Sequence, residues 1–151
     1  MRLAEALQER ADLNHTIEQL RYRLENNMLV QEGEITAEDP EELRKVLEYA
    51  LNRLSYLMAH INLTNAVVQI DGQTLTELIA KKDMLTLKIR IYQEMVNTAG
   101  RAAYRARGTE IKVKPTIGIT AWQMKINSMS RELRILDNQL QETNWHTDLI
   151  E

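Results

Sequence analysis

Asp39–Ile61 reads DPEELRKVLEYALNRLSYLMAHI. Within it Leu43, Leu47, Ala50, Leu54, Leu57 and Ile61 recur at gaps of 4 and 3. That alternation places side chains along one stripe of an α-helix. The start is marked as well. Asp39 suits an N-cap, Pro40 suits the first helical position, where a missing N–H costs nothing, and Glu41 and Glu42 follow in the first turn. One amphipathic helix cannot bury its stripe alone, so the stretch demands further helices.

Three more stripes supply them. Leu3, Ala6, Arg10, Leu13, Ile17, Leu20 and Leu24 form one before it. Leu75, Leu78, Lys82, Leu85, Ile89, Tyr92, Val96 and Ala99 form one after it, and Trp122, Ile126, Met129, Leu133, Leu136 and Leu140 the last. Thr74 with Glu77, and Thr120 with Gln123, have capping-box spacing. Helices are predicted over 2–27, 40–65, 74–103 and 120–145. Each would be roughly 40 Å long at 1.5 Å per residue, so side-by-side packing can run the whole length. The expected fold is all-α: one domain, 1–151, an up-down-up-down antiparallel four-helix bundle. A long two-helix hairpin that completes its bundle in a dimer is the rival.

Composition agrees and narrows the function. The chain has 151 residues, 44% apolar and 27% charged, with only 5 Gly and 2 Pro to interrupt helices. A net charge of −3 argues against a nucleic-acid coat, which must neutralise phosphates. With no Cys there is no disulfide, thiolate metal site or thiol nucleophile. That and the charged start MRLAEALQERADL, which lacks a leader's apolar run, predict a cytoplasmic protein. No stretch has the ~18 apolar residues of a membrane span.

Two connections are longer than a turn needs. The first carries Met28, Leu29 and Val30, then Glu32, Glu34, Glu38 and Asp39; the third carries Arg101, Arg105, Arg107, Lys112 and Lys114. In an up-down bundle both lie at one pole. Opposite charge there makes it a candidate interaction site, or a cap in which Met28–Gln31 and Ile111–Lys114 pair as a small β-ribbon over the core's end. The middle connection carries Asp71-Gly72, a turn signal.

The segments AEALQERADLN, VQEGE, EDPEEL, INLTN, TLTELIAKKD, EIK and ELRILDNQLQETNW resemble the septicolysin-like family of small bacterial proteins, in the family's order and over almost the whole chain. The resemblance implies a helical bacterial protein and, by the family's label, a lytic or pore-forming one. It marks Asn62, Asn65, Lys82, Asp83, Asp137 and Trp145 and gives none a catalytic role.

Catalytic signatures are missing from the residues themselves. A di-metal bundle needs Glu-x-x-His on two helices plus two more acids. The nearest spacing, Asp12-Leu-Asn-His15, falls on the solvent side of its stripe, and surface positions are expected for His15, His60 and His146. There is no G-x-S-x-G elbow and no phosphate loop. Three features remain. Arg10, Lys82 and Asp137 fall at one level of the expected bundle, with His60 and Asp83 near, as a candidate polar layer. Met84, Leu87, Ile91 and Met95 form a second apolar line on the third helix, a candidate oligomer face. The basic loop could meet nucleic acid or an anionic membrane, though its acidic neighbour would compete. The reading is a non-enzymatic, cofactor-free, self-associating helical protein, with a membrane-active protein or a small-ligand-binding bundle as alternatives.

Overall fold

The structure, a computed structural model, describes residues 1–102 and 111–151. Among them the chain forms four long helices: α1 (Leu3–Asn26), α2 (Pro40–Val67), α3 (Leu75–Gly100) and α4 (Ile119–His146). The class is all-α, consistent with a four-helix bundle. Every residue of the four stripes is buried or half-buried, including the charged members Arg10 and Lys82. The chain divides into two compact units, Met1–Gln69 with Thr143–Glu151, and Ile70–Glu142.

In the first unit α1 and α2 pack as an antiparallel hairpin. Arg53 of α2 grips Glu9 of α1 with two hydrogen bonds, of 2.6 and 2.8 Å. Near the connection Arg23 pairs with Glu38. Beyond Arg53, towards the end of α2, Leu57 and Ile61 are buried, at 0% and 1% exposure. Full burial of such a side chain stabilises by about 1.5–3 kcal/mol. Asp39 caps α2 by accepting from the Glu41 N–H at 2.9 Å, with Pro40 in the first turn.

The first connection differs from its expected form. Asn27 is buried; its amide donates to the Arg23 carbonyl at 2.8 Å and accepts from the Glu38 N–H at 2.9 Å. These bonds and the Arg23–Glu38 pair close the loop at its base. The loop body does not cover a core: Leu29 is 89% exposed and Ile35 93%. Residues 28–31 and 111–114 hold no strand, so the expected ribbon is not there. The two-stranded sheet is instead the hairpin Gln69–Ile70 (β1) and Gln73–Thr74 (β2), between α2 and α3. Its turn is Asp71-Gly72, both at positive φ (50° and 83°). That is the primed turn whose twist matches paired strands, and Gly adopts it without steric cost.

A C-terminal tail completes the first unit. The Leu3 N–H donates to the Thr147 carbonyl at 2.9 Å, and the Leu149 N–H to the Met1 carbonyl at 2.8 Å. Thr64, fully buried, donates to the His60 carbonyl at 2.7 Å and accepts from the Ile150 N–H at 2.9 Å. His60 is therefore no plain surface histidine. Its Nδ1 lies 2.8 Å from the Ile150 carbonyl, which can only accept, so Nδ1 carries the proton.

In the second unit α3 runs antiparallel to the 119–142 part of α4, tied by Lys81–Glu132 at 3.2 Å and Lys82–Asp137 at 2.5 Å. Thr74 and Glu77 form the expected capping box. Thr120 does not cap α4. The helix starts at Ile119, and the Trp122 N–H already donates to the Gly118 carbonyl at 3.0 Å.

Thr64 gives a direct test of the tail's anchorage. Valine has the same shape but leaves the Ile150 N–H without its acceptor, a loss of about 1–3 kcal/mol where the group stays buried. Thr64→Val should speed amide exchange at Leu149 and Ile150 while the middle of α2 stays protected. Unchanged exchange at both positions would show that the hydroxyl does not hold the tail.

Candidate functional site

The residues of the expected polar layer have separate local roles. Arg10 is half-buried in α1, and Asn14 caps its carbonyl at 3.0 Å. His60 holds the tail. Asp83 is exposed. Lys82 and Asp137, 55 residues apart, form the clearest ion pair of the set. The Lys82 ammonium, chiefly through its hydrogen bond, holds the Asp137 carboxyl below the usual aspartate range, against a smaller opposing effect of burial. Arg53 does the same for Glu9, and its guanidinium also lies 5.3 Å from the Tyr56 ring centroid. Among the described residues no three His, Asp or Glu side chains gather as a possible metal ligand set.

The charged loops divide similarly. Glu32 and Glu34 are exposed and take part in no salt bridge among the described residues. Glu38 answers to Arg23 instead. Arg105 and Arg107 lie outside the described residues. Arg101, Lys112 and Lys114 are exposed.

The second apolar line of α3 lies at the surface of its unit. Met84 is 60% exposed, Ile91 44% and Met95 43%, with Leu87 half-buried between them. Sequence reasoning missed a comparable seam on α2. There Val46, Tyr49, Tyr56, Leu63 and Val67 are exposed, and with Arg53 and His60 between them they keep the gaps of 3 and 4. The spacing alone could have revealed it. Its two polar members are engaged, however, Arg53 by Glu9 and His60 by the tail. The α3 line is the one without such interruption.

Sequence reasoning also missed a cavity of about 330 Å³ where the last turn of α3 faces the start of α4. Met95, Ala99, Val113, Ile117 and Trp122 form its apolar wall, and Arg101 and Lys114 add two cations. The Trp122 indole rests against Tyr92, with ring centroids 5.0 Å apart. No periodic signal marks this site, because Val113 and Ile117 lie outside any helix.

The profile of a family of unknown function, DUF6847, matches residues 10–149. The chain belongs to that family. A functionally unknown conserved protein from Corynebacterium diphtheriae, known from its crystal structure, is 32% identical over 99% of both chains and superposes with a TM-score of 0.93. No curated protein matches. The septicolysin-like resemblance is thereby corrected: the match over residues 10–149 is to DUF6847, and nothing points to a septicolysin-like family. Capping and stripe motifs such as TLTELIAKKD are shared by helical hairpins generally, since the same helix physics selects them. The lytic label goes with the resemblance. No described helix is long and apolar enough to cross a membrane.

The Lys82–Asp137 pair has a predictable pH signature. A carboxyl whose folded pKa is depressed contributes stability above its unfolded value, near 3.9, and loses it as pH falls through the folded value. Both side chains are more than a third exposed (35% and 39%), so solvent screens the pair. The coupling should be under about 1 kcal/mol, not the roughly 3–5 kcal/mol lost on breaking a buried pair. A double-mutant cycle with Lys82→Met and Asp137→Asn should show that small coupling at about pH 6 and none at about pH 2. Equal coupling at the two pH values would rule out an ionic pair.

Proposed function

We propose that this protein acts without catalysis, through association of copies of itself along the outer line of α3. The observation that carries the reading is the exposure of Met84, Ile91 and Met95 beside half-buried Leu87, at gaps of 3 and 4 and away from the inner stripe. An amphipathic helix needs one apolar face for its own core; a second one stays in water unless something covers it. Methionine suits such a face because its unbranched chain adapts to a partner's shape. Specific interfaces remove on the order of 800 Å² from each partner, so this line would form the centre of a wider contact. The rival seam on α2 is broken by polar groups already engaged within the first unit.

The net charge of −3 supports a protein partner over a nucleic acid. The absence of Cys supports a cytoplasmic setting. Among the described residues, no metal-ligand cluster gives a catalytic reading a foothold.

Light scattering coupled to size exclusion tests the reading. The native chain should run as a dimer or larger at micromolar concentration. Ile91→Glu should shift it towards monomer while circular dichroism keeps its helical signal, because Ile91 lies outside the inner stripe. A native chain that stays monomeric at high micromolar concentration would remove the proposal.

A further inference from the structure

About half of the described cations are held by a carboxylate. Arg2, Arg21, Arg23, Arg44, Lys45, Arg53, Lys81 and Lys82 each pair with a carboxylate. Arg101 and Lys114 are among those that are not, and they share one place. Both line the cavity between α3 and α4, both are exposed, and among the described residues neither has a salt bridge. Among the described residues, the lining holds no acid: its other members are Met95, Ala99, Val113, Ile117 and Trp122, with Thr98, Ala102, Pro115 and Thr116. Positive charge therefore stands beside an apolar wall.

The cavity has the form of a ligand site. At about 330 Å³ it falls within the roughly 300–1,000 Å³ of small-molecule pockets, which are mainly apolar with a few placed polar groups. Its indole is positioned in advance. Trp122 rests on Tyr92, which in turn carries the Lys88 ammonium 5.6 Å from its ring centroid. A ligand would meet a wall already formed. The chemistry of that wall asks for a molecule with an apolar body and one anionic head.

We infer that this cavity binds an amphipathic carboxylate, its apolar body against Met95, Ala99, Ile117 and Trp122 and its carboxylate between Arg101 and Lys114. A guanidinium can take a carboxylate through two parallel hydrogen bonds, and a lysine adds a movable charge. Ion pairing at an exposed mouth is weak by itself. The apolar wall supplies most of the affinity and the two cations supply the selection for an anion. Met95 is shared with the self-association face, but the two tests are separate, since Ile91, the position that tests that face, does not line the cavity.

Trp122 reports on the site directly. The chain has 2 tryptophans, so Trp145→Phe leaves Trp122 as the sole indole. Decanoate, kept below its micelle concentration, should change the Trp122 emission saturably. Decanol, with the same tail and no charge, should bind at least about tenfold more weakly, a difference of about 1.4 kcal/mol. Arg101→Gln with Lys114→Gln should bring the decanoate affinity down to that of decanol. Both positions are exposed, so helical content and melting should be unchanged in this variant. Ala99→Phe, which fills the cavity, should remove the response to either probe. Any of three results would overturn the inference: no saturable response to decanoate, equal binding of decanoate and decanol, or a decanoate affinity indifferent to loss of both cations.

Discussion

Burial of one apolar stripe per helix is the constraint on which the rest of this structure depends. Leu3, Leu57 and Leu75 reach zero exposure, and no member of any of the four stripes is left fully in water. At about 25 cal/mol per Å² of apolar surface, these contacts outweigh anything the surface charges contribute. Helices that bury a stripe at gaps of 3 and 4 must run nearly side by side. That geometry brings Glu9 to Arg53 and Lys82 to Asp137. The ion pairs follow from the packing and adjust its register; they do not create it.

Polar groups do their heaviest work where the chain must stop or turn. Asn27, buried at the base of a loop, meets a carbonyl on one side and an N–H on the other. Thr64 does the same between its own helix and the C-terminal tail. Each satisfies backbone groups that would otherwise be buried without a partner. The result is a loop whose apolar residues stay outside and a tail fastened to the first helical hairpin. The tail and the loop are thus held by a few bonds of high consequence, and the helices by many contacts of low individual consequence.

The two proposed sites lie where these demands leave something over. The outer line of α3 has more apolar surface than its own packing uses. The cavity beside Trp122 has two cations without a salt bridge among the described residues. Both features adjoin, since Met95 belongs to the line and to the cavity wall. DUF6847 membership and the likeness to the Corynebacterium diphtheriae protein establish kinship and fold.

The sequence by itself determined the helices. Periodicity over Leu43–Ile61 and its three counterparts is local information, and caps such as Asp39-Pro40 and Thr74 with Glu77 act within one turn. Helix boundaries fall within a few residues of the expected ones for that reason. The Asp71-Gly72 turn was legible too, because positive φ restricts which residues can stand there. Only the tertiary structure decided how the charged and exposed residues are used. Lys82 meets Asp137 across 55 residues, and the tail reaches Thr64 across 86. Loop 28–37 turns its apolar residues outward because Asn27 and Glu38 close its base, a fact no local pattern contains. The cavity depends on Val113 and Ile117, which obey no helical period, meeting Met95 and Trp122, which do. Pairings of this kind are set by where whole helices come to lie, and a single chain's periodicity carries no record of that.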